Sequence, residues 1–570
     1  MIITSDHPNL DIPKARQKHA RVALQRKVNV LTYLFPAGEP VSNDPVLIDA
    51  ADAQNSLSPR QLLQWVKRVG LGLDRLRLAP NAICMIYSPN HIFVPAAYLG
   101  IIGSGRAFSA ANPVYTVPEV THQLIDTGAA LILAHPSMLG NAVAAAAAAG
   151  LPKERIFQFA GRPCGTVDGV KDWREMVASA EDAELYQWKQ LRGEEAVETV
   201  ATINYSSGTT GLPKGVCVSH WNLIANVMQT IGSRWPNLDR ADGKVQEKWV
   251  GFLPLYHAFG QLYTNLIATK MGIPTYIMQQ FVYADFLQCI QRYRISHLHV
   301  APPIILMMNK RPETADYDLT SLEGILCGAA PLSKELQNSV SRRLNVEVKQ
   351  GWGMTEMTCG SFLEDGEASN NGTVGKLMAN HECKVLDDDG RAVGYDTPGE
   401  MYLRAPNVCM GYFKNDAATK AAISSDGWLR TGDVVVVSKE GLFWVVDRKK
   451  ELIKVNALQV APAELEAVLL EHDDIEDAAV VGITLDNEEW PRAYVVLMDH
   501  AKGVFTAKDL QDWMKVKVAK HKQLVGGIAF VSEVPKLASG KIQRKVMREW
   551  SKRDAPGLER ERGANIRSRL

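Results

Sequence analysis

The chain has 570 residues, more than one hydrophobic core sustains, so two or more domains are expected. Its 46% hydrophobic and 22% charged residues are ordinary globular values, and basic and acidic residues balance at 63 each. That balance leaves no overall field to hold nucleic acid or an anionic membrane surface, so small, locally recognised substrates are expected instead.

The opening stretch MIITSDHPNLDIPKARQKH has no basic region followed by an apolar run, and no secretory signal is read there. No apolar run reaches membrane-spanning length; the Ala-rich stretch at 142–149 is far too short, and a soluble protein is expected. From 83 to 134, short apolar runs (ICMIY, ALILA) alternate with a stretch at 93–102 spaced as a buried helix. The same alternation recurs at 199–205, 248–253, 297–301 and 325–327, each run followed by turn or helix-start residues such as Ser206, Pro254, Pro302 and Gly328. This is an α/β pattern, with function expected at strand ends. From 399 to 446 the pattern turns β-rich, with GEMYLRAP, VVVVS and LFWVV separated by Gly and Asp turns, and a small barrel-like or sheet region is predicted. At Asp447–Arg448 the charged run DRKKELIK begins, followed by a helix start at 462–464. The division predicted is a large domain over 1–446, a small one over 447–552, and a flexible charged tail over 553–570. The eight cysteines are scattered, without C-x-x-C pairs or zinc-spaced histidines, which predicts free thiols in a reducing compartment.

The strongest single feature is YSSGTTGLPKGV at 205–216, directly after an apolar run. Small hydroxyl and glycine residues let a backbone approach phosphates closely, and Lys214 adds positive charge. It is not a Walker A loop, because Lys214 is preceded by Pro213 and followed by Gly215. Further motifs follow in order: LPLYHAFG at 253–260, GAAPL at 328–332, QGWGMTE at 350–356, GTVG at 372–375, WLRTGD at 428–433, DRKKELIK at 447–454 and ASGKIQRK at 538–545.

This ordered set resembles the adenylate-forming superfamily of acyl-CoA synthetases, 4-coumarate:CoA ligases, beetle luciferases and peptide-synthetase adenylation domains. The likeness spans roughly residues 45 to 550 and is closest in style to fungal peroxisomal acyl-CoA ligases. It implies an α/β fold with a large amino-terminal domain of two sheet-and-helix subdomains and a small barrel. A small mobile carboxy-terminal α+β domain would be hinged at Asp447. It also implies ATP, Mg2+ and CoA as cofactor and cosubstrates, and the roles that follow.

Ser206, Ser207, Gly208, Thr209, Thr210, Gly211 and Lys214 would hold the triphosphate. Gly328, Ala329 and Ala330 with Gln350, Gly351 and Trp352 would form the adenine slot. Thr355 would bond the α-phosphate, Glu356 would bind Mg2+, and Asp433, with Arg448 near, would accept from both ribose hydroxyls. Lys541 would stabilise charge during adenylation, and His257 would lie beside the acyl carboxylate. Tyr256, Phe259, Gly260, Ala329 and Trp352 would line an acid pocket suited to phenylpropanoid, phenylacetic or medium-chain acids. Lys454 and Gln459 match residues used in the thioester-forming arrangement, although this chain reads Asn456-Ala457-Leu458-Gln459 where related ligases have K-G-F-Q. An amino-acid-loading adenylation enzyme is disfavoured, since Leu255-Tyr256-His257-Ala258 lacks the carboxylate that binds an ammonium; delivery of a non-amino acid to a carrier protein remains the alternative. A non-catalytic relic is disfavoured by joint retention of Lys214, Glu356, Asp433 and Lys541. Ser568-Arg569-Leu570 resembles the S-K-L address read by a peroxisomal import receptor.

Overall fold

The computed structural model describes residues 2–4, 27–206, 213–235, 245–364, 371–455, 458–485, 488–537 and 540–567. Within these, one sheet is built on parallel strands Val200–Ser206, Ala107–Ala111, Ile83–Tyr87, Leu131–Ala134, Ile156–Gln158 and Lys171–Asp172. Antiparallel strands Lys214–Ser219 and Gly411–Tyr412 extend it beyond Val200–Ser206. A second sheet has parallel neighbours Glu347–Gly353, Gly324–Cys327, His297–Val300, Trp249–Gly251, Thr275–Ile277 and Leu47–Asp49, with antiparallel strands at both edges.

The run ICMIY is apolar at every position because both faces of its strand are covered. Cys84 and Ile86 face a central helical layer, while Met85 and Tyr87 face helices Val117–Thr127 and Leu139–Ala148 on the outside. All ten residues of helix Val94–Gly103 are buried in that central layer. The same core reaches Leu47, Trp249 and Ile277 of the second sheet, so two sheets share one helical filling. The second sheet's other face packs on helices Tyr283–Tyr293, Pro302–Lys310 and Lys334–Leu344. This layering brings the carboxyl ends of both parallel sheets to one cleft.

The β-rich region is an antiparallel sheet of Glu382–Leu386, Gly399–Arg404, Leu429–Val437 and Phe443–Arg448, with Ile2–Thr4 added at its edge. Asp447 and Arg448 are the last residues of its final strand. Beyond them lie the hairpin Ile453–Val455/Leu458–Val460, the strands Ile475–Leu485, Glu488–Leu497 and Ile528–Phe530, and helices that cover them.

A helix runs from Arg544 to Arg567, into the charged segment expected as a tail. Buried Met547 and Ser551 seat it. Arg492 donates to Asp554 Oδ2 at 2.7 Å, and the Tyr494 hydroxyl donates to the same oxygen at 3.0 Å. These bonds tie the helix at Asp554 to the strand Glu488–Leu497. Ser568-Arg569-Leu570 lie outside the described residues. The eight cysteines are unpaired, and among the described residues no helix is long and apolar enough to cross a membrane.

Candidate active site

Strand Val200–Ser206 and its neighbour Lys214–Ser219 meet with Ser206 opposite Lys214, so both flank the mouth of the intervening loop. Of the loop residues singled out by sequence, Ser207, Gly208, Thr209, Thr210 and Gly211 lie outside the described residues. Ser206 and Lys214 line a cleft of about 880 Å³ together with Thr355, Glu356, Arg448 and Lys541. The Lys214 ammonium stands 4.9 Å from the Tyr412 ring centroid. Tyr412 in turn donates its hydroxyl to Glu356 Oε1 at 2.9 Å. Sequence reading missed Tyr412, although the glycine-aromatic run at 411–413 marked it as a place where backbone and ring approach closely. Among the described residues no cluster of His, Cys, Asp and Glu can cage a metal. A lone carboxylate such as Glu356 suits Mg2+, which is held mostly by phosphates and water.

Asp433 is 7% exposed. Its Oδ2 accepts from Trp352 Nε1 at 2.8 Å, and Arg448 Nε lies 3.5 Å from Oδ1 without a hydrogen bond, leaving Oδ1 unpartnered among the described residues. Burial pushes this carboxyl up, against the pull of Arg448 and Trp352. A buried acceptor with a free oxygen fits a hydroxyl-bearing ligand such as a ribose. Gly328, Ala329, Gly351 and Trp352 line the adjoining cavity, and Ala329 holds φ of 73°, a strained value for a residue with a side chain. Ala330 and Gln350 do not line it. The Gln350 amide donates to Gln337 Oε1 at 2.8 Å and to the Leu332 carbonyl at 3.2 Å behind the strand, so it braces the slot from below.

That same cavity, narrow, apolar and about 70 Å³, is also walled by Phe259, Tyr263, Cys359, Phe362 and Met378, so residues expected to hold adenine and residues expected to hold the acid line one space beside the cleft. His257, Ala258, Met354, Thr355 and Lys541 line both spaces and form the wall between them. Burial, then the nearby Lys541 charge, lowers the His257 pKa to about 4, so this ring is neutral at physiological pH. Tyr256 faces the cleft rather than the cavity. Gly260 serves packing, not lining: an added Cβ would stand 2.3 Å from the Pro254 carbonyl oxygen. The helix after His257 is wound loosely, the Ala268 N–H donating five residues back to Tyr263, and this places Tyr263 in the cavity wall. That winding has no signature in hydrophobic spacing, so Tyr263 was not legible. Buried Asn204 and Gln261 exchange amide bonds of 3.2 and 2.9 Å, tying the strand before the phosphate loop to the His257 segment. Asn90 adds a second tie, donating to Leu253 O and accepting from Leu255 N, both at 3.0 Å.

Lys541 sits on a turn closed by Leu537 N donating to Lys541 O at 2.8 Å. Burial and Arg448 lower its pKa, while Asp433 and Glu356 oppose that shift. Lys454 and Gln459 are exposed cross-strand partners on a hairpin whose Ile453, Val455 and Val460 are buried, and they line neither space. Asp447, 4% exposed, accepts from Arg448 N at 2.7 Å and Ala463 N at 3.1 Å.

The model for AMP-binding enzymes matches residues 37–413, and that for their C-terminal domain matches 464–541. The chain belongs to the AMP-binding enzymes. Similar relatives of this AMP-binding enzyme include a phenylacetyl-CoA ligase of Aspergillus niger, 34% identical over 92% of this chain and 97% of that protein. A peroxisomal OPC-8:0-CoA ligase of Arabidopsis thaliana is 35% identical over 87% of this chain and 89% of that protein. Among solved structures, an anthranilate CoA ligase in complex with anthranoyl-AMP superposes with a TM-score of 0.80 at 22% identity, covering 96% of this chain and 100% of that one, and so shares its fold. Like its relatives, this AMP-binding enzyme is an ATP-dependent, AMP-forming ligase.

Proposed function

We propose that the enzyme activates an aromatic or medium-chain carboxylic acid as its acyl adenylate and passes the acyl group to CoA. The observation that supports this most directly is the shared wall of His257, Thr355 and Lys541 between an apolar cavity and a polar cleft. An acid whose tail fills the cavity has its carboxylate at that wall, beside the α-phosphate of a nucleotide in the cleft. In the first step a carboxylate oxygen attacks the α-phosphorus and the bond to pyrophosphate breaks. Lys541, with Thr355, stabilises the charge on the transferring phosphoryl group. Neutral His257 packs on the carboxylate without pairing to it as a counter-ion. Asp433 orients the ribose, and Ser206 and Lys214 flank the triphosphate. Glu356 would hold Mg2+, which would supply neutralisation of the phosphate charge.

In the second step the CoA thiol releases its proton to solvent, its sulfur attacks the acyl carbon, the bond from that carbon to the phosphate oxygen breaks, and AMP leaves. Rotation of the small domain about Asp447 withdraws Lys541 and presents Lys454 and Gln459. The wall lacks a carboxylate near His257, which supports acids without an α-ammonium group. ATP–pyrophosphate exchange across a panel of aromatic, fatty and amino acids tests the reading, with aromatic or medium-chain acids expected to turn over. Exchange with amino acids alone, or with none, overturns it.

We further propose recognition of Ser568-Arg569-Leu570 by a peroxisomal import receptor. Deleting the tripeptide from an amino-terminally tagged fusion should move it from peroxisomes to cytosol. Unchanged puncta would remove the assignment.

A further inference from the structure

Helix Pro302–Lys310 of the large domain meets the small domain at both ends. At its start, Pro303 lies under the turn that bears Lys541: a Cβ added to Gly540, which has φ of 83°, would stand 3.0 Å from Pro303 Cδ and 3.0 Å from Ala301 Cβ. At its end, Lys310 Nζ donates to the His472 carbonyl at 2.9 Å and to the Ile475 carbonyl. These two carbonyls belong to the tight turn between helix Pro462–Leu470 and strand Ile475–Leu485, where Ile475 N also donates to His472 O at 3.2 Å. Burial lowers the pKa of this ammonium, and the negative charges of Asp473, Asp474, Asp477 and Glu476 oppose that shift. A partly desolvated ammonium bonded to two carbonyls of another domain is more than a solvated surface lysine.

The contact leads on to the active site. Two residues after Ile475, Asp477 holds Lys536 by bonds of 2.8 and 2.7 Å. Lys536 begins the turn that ends in Lys541, and the Lys536 carbonyl accepts from Gln543 at 3.0 Å. Lys310, the His472–Ile475 carbonyls, Asp477, Lys536 and the Lys541 turn thus form one connected path, while Pro303 fixes the far end of that turn on the same helix.

We infer that Lys310 is a positioning residue, an interdomain latch that docks the small domain in the arrangement placing Lys541 in the cleft and that must open before a second arrangement forms. The inference rests on the reading of Lys541 as the cation of the first step. Lys310 touches no reacting atom. It acts by raising the population of the docked state, so its removal costs only the step that needs that state.

Lys310→Met keeps the stem and deletes the ammonium. Acid-dependent pyrophosphate exchange should then fall roughly tenfold or more, the scale of a lost charge-assisted hydrogen bond. Thioester formation from supplied acyl adenylate and CoA should stay at the parental rate or rise, and Lys310→Arg should restore part of the exchange. Lys536→Met, which cuts the path from the small-domain side, should give the same split. A simple loss of fold would lower both half-reactions together. Equal losses in both half-reactions for both Met variants, or parental exchange in Lys310→Met, overturns the latch. A parent that exchanges with no acid would instead sink the proposed function, so the two failures are distinguishable.

Discussion

At the scale of single residues, the cleft presents carboxylates that neighbouring rings hold from one side. Asp433 Oδ2 accepts from Trp352 while its Oδ1 has no hydrogen bond among the described residues, and Glu356 Oε1 accepts from Tyr412. Asp433→Asn keeps the shape but removes the charged acceptor. The KM for ATP should rise about tenfold or more, in line with a lost hydrogen bond to a charged group, while the KM for the acid moves little. An unchanged KM for ATP would show that Asp433 does not hold the nucleotide. Phe259 walls the narrow cavity and Tyr256 does not. Phe259→Ala should therefore redistribute specificity toward bulkier acids at constant affinity for ATP, and Tyr256→Ala should leave the ranking of acids unchanged. Competition among acids of graded size distinguishes the two.

At the scale of elements, the strand Glu347–Gly353 is braced by a carboxyl that burial should weaken. Glu364 is 1% exposed; its Oε2 accepts from Gln350 N at 2.9 Å, and its Oε1 is unpartnered among the described residues. Burial outweighs these bonds and pushes its pKa up to about 7. A carboxyl raised on folding contributes stability that is full below its unfolded pKa and is lost as pH rises through its folded pKa. Glu364→Gln should therefore match the parent in thermal midpoint near about pH 4, gain on it as pH rises between there and about pH 7, and exceed it by a constant margin near about pH 8.5, where the parent holds an uncompensated buried charge. Parallel midpoint–pH curves would refute this. The strands themselves were legible because each is a short apolar run closed by a turn, as at Ile83–Tyr87 and His297–Val300. The motif residues that reach the cleft, from Lys214 to Lys541, were legible through their order along the chain. Gln350, Gly260 and Tyr263 were not, because which side of a strand or helix faces a cavity depends on packing partners distant in sequence. The helix Arg544–Arg567 was not legible for the same reason, since Arg492, which holds Asp554, lies on a strand some sixty residues earlier.

At the scale of the molecule, the question is how one cleft serves two reactions. Lys541 lines both the cleft and the cavity, while Lys454 and Gln459 stand paired and exposed on one face of a hairpin outside them. Both lysines belong to the part of the chain after Asp447, so a rigid rotation about that residue would move them together, and the proposed rotation that brings Lys454 in is the one that withdraws Lys541. If Lys541 acts only in adenylation, Lys541→Ala should lower acid-dependent pyrophosphate exchange by on the order of a hundredfold, the loss seen when a preorganised charge stabiliser is deleted. Supplied with acyl adenylate and CoA, the same variant should form thioester near the parental rate. Lys454→Ala should show the reverse bias, keeping exchange and slowing thioester formation. The two deletions have opposite signatures only if the small domain occupies two positions. Equal loss of both half-reactions in both variants would mean that a single fixed arrangement performs both steps, and Asp447 would then be a buried strand-end carboxylate rather than a pivot.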